Sequence, residues 1–181
     1  MCWIFAYNWK NNSIPLLINW LKALEYRWYD SAGVLWVNND WDIFFKKSVW
    51  RVSNLALKVE DDKNSKSIFT NWISHTRWAT HWVVNEENTH PHHSQNNRFF
   101  VVHNGIIENY KELKNELEKK YSFYSNTDTE IIAKLLEDNF EVDLKTTLIK
   151  IIPMLIWAYA IAVLMCKIHK LWFELNFEVL C

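Results

Sequence analysis

The sequence predicts an α+β fold, in which helices cover sheets without a regular alternation of strand and helix. Three observations predict it. Short runs of apolar and β-branched residues, typical of buried strands, occur near both ends and in the middle of the chain. Segments with apolar residues three and four positions apart, typical of amphipathic helices, lie between them. Half of the 181 residues are hydrophobic, which is enough for one domain with a substantial core.

The first half of the chain mixes strand-like and helix-like segments. Ser13 is the expected N-cap of the first helix, and Pro15 falls within its first turn. The polar and aromatic stretch 25–33 predicts a loop, and the charged stretch 60–67 predicts another at the surface. We expect strands at residues 4–7, 34–37, 43–47 and from 73 onward, and helices at residues 14–24 and 49–59.

The second half begins with a long polar loop at residues 85–97. Residues 127–130, Thr-Asp-Thr-Glu, have the pattern of a capping box and should open a helix. The uncharged run 151–166 is shorter than the ~20 residues of a membrane helix, so we expect a buried helix end and a buried strand. We expect strands at residues 99–103 and 158–164, a turn at 104–105, and helices at 108–120, from 131, and at 144–152.

Charge and cysteine content narrow the class of protein. The net charge of −1 offers no basic surface for a nucleic acid. The three cysteines are scattered and odd in number, which favours a reducing, cytoplasmic setting over a disulfide framework. The N-terminus lacks a basic segment followed by an apolar core, so we expect no signal peptide. These features predict a cytoplasmic protein that binds neither nucleic acid nor membrane.

Cys2 is the first candidate for chemistry, because it directly follows the initiator methionine. If Met1 is removed, Cys2 carries a free α-amine beside its own thiol, and these groups ordinarily titrate near pH ~8 and ~8.5. A nucleophile and a base then belong to one residue, the arrangement that enzymes of the N-terminal-nucleophile type use. The alternative is a structural cysteine that acts as a small hydrophobic residue.

Five further motifs follow Cys2 in order. They are Tyr-Arg-Trp-Tyr-Asp-Ser-Ala-Gly at 26–33, His-Thr-Arg-Trp-Ala-Thr-His at 75–81, His-Pro-His at 90–92, His-Asn-Gly-Ile-Ile-Glu-Asn-Tyr at 103–110 and Thr-Asp-Thr-Glu at 127–130. Together they closely resemble the class II glutamine amidotransferases. Within that group they resemble the glutaminase domain of the glutamine–fructose-6-phosphate aminotransferase (isomerizing) family, the glucosamine-6-phosphate synthases.

The resemblance implies the fold of the N-terminal-nucleophile hydrolases, a four-layer αββα sandwich, here incomplete at its C-terminal end. Residues 1–165 resemble the type-2 glutamine amidotransferase domain, and residues 166–181 form a divergent tail. The sugar-phosphate isomerase domains of the family are absent from the chain. The resemblance therefore implies a domain that supplies ammonia from glutamine for the synthesis of glucosamine 6-phosphate. Fructose 6-phosphate would bind only to the absent domains, and the full-length family is homodimeric.

The resemblance also implies roles for individual residues. Cys2 would be the nucleophile, and Asn104 and Gly105 would form the oxyanion hole, although Asn-Gly alone predicts only a turn. Arg77 would hold the α-carboxylate of glutamine in a bidentate fork. Asp128 would take the α-ammonium, although a carboxylate is also favourable at a helix N-terminus. The other implied residues are Trp78, Thr80 and His81 in the glutamine pocket, and Arg27 and Asp30 as a supporting pair.

Other interpretations remain open. One is a class II amidotransferase domain that serves a different acceptor with the same Cys2 chemistry, and another is an inactive truncated fragment. The histidines at positions 81, 90, 92 and 93 have no spacing typical of a zinc site, so we expect no metal, and no cofactor is implied. Tryptophans can stack on single-stranded nucleic acid, but the chain lacks the basic groove that such binding needs.

The chain contains 12 tryptophans and only 2 glycines, whereas an average composition of about 7% glycine predicts roughly a dozen. Tryptophan stands where the resembled family has glycine at positions 3, 28, 82 and 157, and positions 20, 50 and 72 would also suit glycine. Only Trp78 stands where that family has tryptophan. Our hypothesis is that most of these residues are glycines encoded by UGA, which some bacteria read as glycine and other codes read as tryptophan.

The codons test this hypothesis. We expect UGA at the codons for Trp3, Trp28 and Trp82, and UGG at the codon for Trp78, because only the last position calls for an indole. Sequencing the gene gives the answer. UGG at the first three positions together with UGA at Trp78 would rule the hypothesis out.

Overall fold

A computed structural model of the chain describes residues 2–8, 13–24, 26, 29–38, 42–62, 69–78, 83–156, 159–166 and 177–180. The chain divides into two compact units, Met1–Pro91 and His92–Cys181. Each unit contains a four-stranded sheet in which all neighbouring strands are antiparallel. The predicted α+β class is confirmed. No helix within the described residues combines the length and apolar character needed to cross a bilayer.

The first unit places its strands in the order β1-β4-β2-β3. Strand β1 pairs with β4, which joins the chain's beginning to the segment that ends at Arg77. The bounds are β1 Trp3–Asn8, α1 Ile14–Ala23, β2 Ser31–Asn38, β3 Ile43–Val49, α2 Val52–Glu60 and β4 Phe69–Arg77.

Both helices of the first unit bury an apolar stripe. Four α1 residues at helical spacing and four α2 residues form one cluster with alternate residues of β2. Because strand side chains alternate between faces, this cluster marks one face of the sheet as the helix-covered face. Its members are Ile14, Leu17, Ile18, Leu21, Tyr29, Ala32, Val34, Trp36, Val52, Leu55, Ala56, Val59 and Trp72.

A row of aromatic residues crosses all four strands of this sheet. Tyr7 lies opposite Trp72, Trp72 opposite Trp36, and Trp36 opposite Phe44. The Tyr7 and Trp72 rings stack at 5.7 Å, and the Trp36 and Phe44 rings stack at 5.9 Å. Cross-strand aromatic pairs of this kind stabilise a sheet. In this chain Trp36 and Trp72 therefore form part of the core of the first unit.

The second unit places its strands in the order β5-β6-β7-β8 and adds three helices. Strand β6, which carries the Asn-Gly pair, lies inside the sheet between β5 and β7. The bounds are β5 His92–His93, β6 Phe99–Gly105, α3 Tyr110–Leu117, α4 Thr129–Asn139, α5 Leu144–Ile151, a 3-10 turn Ile152–Met154, β7 Tyr159–Met165 and β8 Phe177–Leu180.

The core of the second unit forms where α4 packs on the sheet. Helix α4 is buried along most of its length, from Thr129 to Leu136. Its apolar residues join Phe99 and Val101 of β6 and Ile161 and Val163 of β7 in one cluster. The odd-numbered residues of β6 therefore face the helices, and the even-numbered ones face away from them.

Several element boundaries differ from those predicted. Strand β2 begins at Ser31, because residues 31–33 pair with residues 75–77 of β4. Helix α2 begins at Val52, because Val49 still pairs with Ser31 in the sheet. Asn104 and Gly105 belong to β6 and pair with β7 rather than forming a turn. Strands β5 and β8 were not predicted, because neither short segment has a pattern that separates it from a loop.

The predicted capping box at residues 127–130 is wrong. The Glu130 carboxylate does not return to Thr127 but accepts hydrogen bonds from the backbone N–H groups of Tyr124 and Ser125. Thr127 Oγ1 lies 3.0 Å from Ser125 Oγ and 3.0 Å from His92 Nε2. The helix begins at the expected place, but its first turn is fixed by tertiary contacts instead of a local box.

Trp50 has a backbone conformation that favours glycine. Its φ of 77° lies in the left-handed region, where a bulky side chain costs about 1–2 kcal/mol. Trp50 links β3 to α2, and its side chain is 69% exposed, so it contributes little packing. This geometry agrees with the hypothesis that position 50 is a glycine. Trp20 differs, because it lies within α1 and its ring meets Phe5 edge-on at 4.5 Å.

The two positions should respond oppositely to glycine. Trp50→Gly should raise the free energy of unfolding by about 1 kcal/mol, because the strain at positive φ disappears. Trp20→Gly should lower it by about 1 kcal/mol or more, because glycine is a poor helix former and the Phe5 contact is lost. Urea unfolding of both variants and the parent measures this. A loss of stability in Trp50→Gly would contradict the interpretation.

Candidate active site

Cys2 lies at the point where the chain enters the sheet of the first unit. The next residue begins β1 and pairs with Thr76 of β4. Cys2 Sγ accepts a hydrogen bond from the backbone N–H of Trp78 at 3.3 Å, and lies 3.8 Å from the Trp78 carbonyl oxygen. The thiol is thus held against the residue that follows the end of β4, at the beginning of an edge strand.

Arg77 lies on the sheet face that helices α1 and α2 do not cover. In β4 Trp72 packs under the helices, so alternation directs Arg77 to the opposite face. The same alternation in β1 directs Cys2 there, because Phe5 and Tyr7 pack against the helices. Arg77 is buried, and its carbonyl accepts a hydrogen bond from Asp30 N–H at 3.2 Å. Cys2, Arg77 and Asp30 therefore belong to one end of one sheet.

The segment 83–91 comes very close to this helix-free face. A Cβ atom on Gly33 would lie only 1.9 Å from the carbonyl oxygen of His90, so no other residue fits there without displacing the backbone. The rings of His90 and His75 also meet, with centroids 4.2 Å apart. The segment holds itself together through Asn88, whose N–H donates to Asn85 Oδ1 at 2.8 Å. Gly33 thus sets how near this segment lies to the strands.

Trp78 is half exposed, with 51% of its surface accessible, although its backbone holds the Cys2 thiol. Within the first unit the structure therefore brings together Cys2, Arg77, Trp78 and Asp30. The other predicted residues of this unit, Arg27, Thr80 and His81, lie outside the described residues.

Asn104 and Gly105 form the end of β6 in the second unit. They pair with Ala160 and Tyr159 of β7. Gly105 has a φ of 137°, a backbone conformation that residues with a side chain rarely adopt. Alternation directs Asn104 away from the helices, since Val101 and Phe99 face them. The end of β6 therefore places the Asn104 side-chain amide next to Gly105, a residue without a side chain.

Asp128 lies at the start of α4 and holds the segment that follows β6. Its Oδ2 atom accepts a hydrogen bond of 2.7 Å from the backbone N–H of Ile107. Both partners are buried, so this charge-assisted bond is shielded from water. Ile107 is two residues beyond Gly105. In the second unit the structure thus joins Asp128 to the segment of Asn104 and Gly105.

His103 and Thr129 form a second connection between the same two segments. His103 Nδ1 lies 2.9 Å from Thr129 Oγ1, and both residues are buried. Burial lowers the pKa of His103 to about 4, because the interior disfavours the charged imidazolium. His103 is therefore neutral at physiological pH, and the bond joins two neutral groups.

A buried polar network supports the segment before α4. The Glu130 carboxylate accepts hydrogen bonds from Ser125 N and Ser125 Oγ, both at 2.8 Å. Lys134, one helical turn later, pairs with Glu130 at 3.4 Å, and both side chains are almost fully buried. The Lys134 ammonium also lies 5.7 Å from the Tyr124 ring centroid. Because burying an unpaired charge is costly, the ion pair fixes the segment between Tyr124 and Glu130.

The network continues to β5. His92 Nε2 lies 3.0 Å from Thr127 Oγ1, and His92 Nδ1 lies 3.2 Å from the Tyr124 hydroxyl. His92 thus uses both ring nitrogens within the network instead of pointing to a metal. The described residues contain no group of three His, Cys, Asp or Glu side chains arranged to hold a metal ion. The absence of a metal from the whole chain stays a prediction, because His81 is not among them.

The sequence interpretation missed His92, His103, Thr129, Glu130 and Lys134 as structural partners of the site. One signal was present for the ion pair. Glu130 and Lys134 are four residues apart in a segment that is otherwise apolar on several sides, which is typical of a pair buried within a core helix. No sequence signal indicates the bond between His103 and Thr129, because these residues are 26 positions apart.

Comparisons with known proteins show which proteins this chain resembles. A family model described as a glutamine amidotransferase domain matches residues 75–172. The glutamine–fructose-6-phosphate aminotransferase (isomerizing) of Staphylococcus aureus is 45% identical over 166 residues. That of Listeria innocua is 44% identical over 165 residues. Both matches cover 91% of this chain, which spans 27% of the length of these relatives.

Two solved structures share the fold. The glutamine phosphoribosylpyrophosphate amidotransferase of B. subtilis matches with a TM-score of 0.72 and 25% identity. The match covers 91% of this chain and 35% of the B. subtilis chain. A structure described as the allosteric regulatory enzyme of purine biosynthesis matches with a TM-score of 0.73 and 26% identity. That match covers 90% of this chain and 35% of the other. The expected N-terminal-nucleophile hydrolase class is thereby confirmed.

The buried histidine predicts a pH dependence of stability. The pKa of His103 is about 4 in the fold and near 6.5 when exposed, so between these values the unfolded chain binds more protons. Stability should therefore fall as the pH drops from about 6.5 to about 4, by up to about 3 kcal/mol from this group.

Urea titrations across this pH range measure the effect. His103→Asn keeps a hydrogen-bonding group but cannot titrate, so its stability should depend less steeply on pH. Equal slopes for the parent and the variant would show that another group is responsible.

Proposed function

Because the chain belongs to the glutamine amidotransferase family, we propose that it hydrolyses the side-chain amide of glutamine with Cys2 as the nucleophile. The observation that carries this proposal is the position of Cys2. It directly precedes Trp3, the first residue of the edge strand β1, and its sulfur accepts a hydrogen bond from the Trp78 backbone. Removal of Met1 places a free α-amine beside the thiol, as a base on the same residue.

The reaction proceeds in two stages. The α-amine takes the thiol proton as Sγ attacks the amide carbon, and the resulting ammonium returns that proton to the departing nitrogen. Ammonia leaves, and a γ-glutamyl thioester remains on Cys2. Water, deprotonated by the same α-amine, then attacks the thioester and releases glutamate, which restores the thiol. The atoms balance as glutamine and water giving glutamate and ammonia.

Asn104 and Gly105 are the proposed oxyanion hole. Their position at the end of β6 supports this, because it places a side-chain amide next to a backbone N–H. A side-chain amide and a backbone N–H aimed at one oxygen stabilise the negative charge that develops as Sγ attacks.

The other residues are proposed to recognise glutamine. Arg77 would bind the α-carboxylate through its planar guanidinium, and Asp128 would bind the α-ammonium. Trp78, Thr80 and His81 would complete the pocket, with Arg27 and Asp30 in support.

The names of the relatives at 45% and 44% identity specify glutamine and fructose 6-phosphate, and the ammonia is proposed to serve glucosamine 6-phosphate synthesis. Residues 1–165 would be the glutaminase domain and 166–181 a divergent tail, and fructose 6-phosphate would bind domains outside this chain. The working protein would be cytoplasmic and homodimeric. A different acceptor is the second candidate, because a solved relative acts on phosphoribosylpyrophosphate by name. Its identity of 25% makes it the less favoured one.

Replacing Cys2 tests the mechanism. Two backgrounds are needed, the chain itself and a version with glycine at Trp3, Trp20, Trp28, Trp50, Trp72, Trp82 and Trp157. We expect ammonia release from glutamine in the glycine background, and a loss of at least about a hundred-fold in Cys2→Ala, because no other group forms the thioester.

Cys166→Ala is the matched control, because Cys166 is a buried thiol whose pKa burial raises to about 12. It should keep the activity. Mass spectrometry should show the N-terminus at Cys2 and a glutamyl adduct there. A folded glycine background that releases no ammonia would contradict the proposal.

A further inference from the structure

We infer that His103 and Thr129 are positioning residues that fix the spacing between the two groups of the second unit that contact glutamine. These groups are the Asp128 carboxylate, for the α-ammonium, and the Asn104–Gly105 donors, for the amide oxygen. The inference rests on the proposed function and adds to it two residues that would act through their neighbours Asn104 and Asp128.

The first observation is that His103 directly precedes Asn104, and Thr129 directly follows Asp128. The bond of 2.9 Å between them therefore joins the two recognition groups through their immediate neighbours. Both residues are buried, so water does not compete for the bond and its loss would leave a buried polar group unsatisfied. Alternation turns His103 toward α4 and Asn104 to the opposite face of β6. Strand β6 thus bonds to Thr129 through His103 on its helix-covered face, and it presents the Asn104 amide on its other face.

The second observation is that the same two segments meet again at Ile107. Its backbone N–H donates to Asp128 Oδ2 at 2.7 Å. The segment 103–107 is thus held at both ends by consecutive residues of the α4 start. Two connections define an orientation as well as a distance, which one bond does not do.

The third observation is that the α4 start has its own support. On its N-terminal side Thr127 bonds Ser125 and His92, and within the helix Glu130 pairs with Lys134. Asp128 lies between these fixed points. These contacts hold the helix start in place, and the bond from His103 links that position to β6.

Fixed spacing matters because the substrate is one molecule of fixed length. Binding the α-ammonium accelerates the reaction only if the amide oxygen then meets its donors as charge develops. If the spacing loosens, the ammonium can still bind, but that binding no longer favours the transition state. Loss of the His103–Thr129 bond should therefore reduce the catalytic advantage of having an α-ammonium.

The test compares glutamine with 4-carbamoylbutanoate, which is glutamine without its α-ammonium. The quantity measured is the ratio of kcat/KM for the two substrates, which does not depend on the fraction of enzyme that is folded. Thr129→Val keeps the shape of the side chain and removes the hydroxyl. We expect it to lower this ratio by roughly ten-fold or more, since small misplacements of reacting groups can cost up to ~100-fold.

Three other variants sharpen the result. Thr129→Ser keeps the hydroxyl and should preserve the ratio. Thr147→Val removes a buried hydroxyl that donates to Asp143 O at 2.7 Å in α5, away from the site, and should also preserve it. His103→Phe breaks the same bond from the other side and should lower the ratio as Thr129→Val does.

The outcomes separate the two proposals. An unchanged ratio in Thr129→Val or His103→Phe, or an equal fall in Thr147→Val, overturns the inference while Cys2-dependent ammonia release in the parent upholds the function. Absence of that release from both backgrounds overturns the function and the inference together. A ratio that falls in Thr129→Val and His103→Phe, but not in Thr129→Ser or Thr147→Val, supports the proposed function and the inference.

Discussion

The two-residue alternation of strand side chains is the constraint on which the arrangement of both units depends. Each sheet buries one face under helices, so residues one position apart have opposite surroundings. In β4 this directs Trp72 into the core and Arg77 to the uncovered face. In β6 it directs Val101 and His103 toward the helices and Asn104 away from them. A slip of one residue in either strand would exchange core and candidate site.

The helix-covered face of the second sheet also buries polar groups. Helix α4 lies in the core, yet its first turns carry Asp128, Thr129, Glu130 and Lys134. Each is satisfied by a partner, because buried unpaired polar groups are strongly unfavourable. These bonds run to Ile107, His103 and Ser125. The polar groups thus fix the orientation of the α4 start relative to the end of β6. Apolar packing alone is less directional and would define that orientation less well.

The tryptophans and glycines of the chain fall into distinct structural classes. Both glycines stand where the backbone needs them, Gly33 under the His90 carbonyl and Gly105 at positive φ. Trp50 also has positive φ, where an indole is strained. Trp36 and Trp72, in contrast, fill the core of the first unit. The hypothesis that many tryptophans are encoded glycines therefore has different structural consequences at each position, since strain, helix propensity and packing respond differently to losing a side chain.

The sequence by itself determined the α+β class and most of the helices and strands, because periodicity carries that information. Its motifs proposed the nucleophile and the oxyanion residues only through their resemblance to a family. Only the tertiary structure decided that residues 31–33 continue β2, that Asn104 and Gly105 belong to β6, and that Glu130 turns to Ser125 rather than capping its helix. It also paired His103 with Thr129. The physical reason is that each of these outcomes depends on a partner distant along the chain, and no local pattern records which strand or helix that partner occupies.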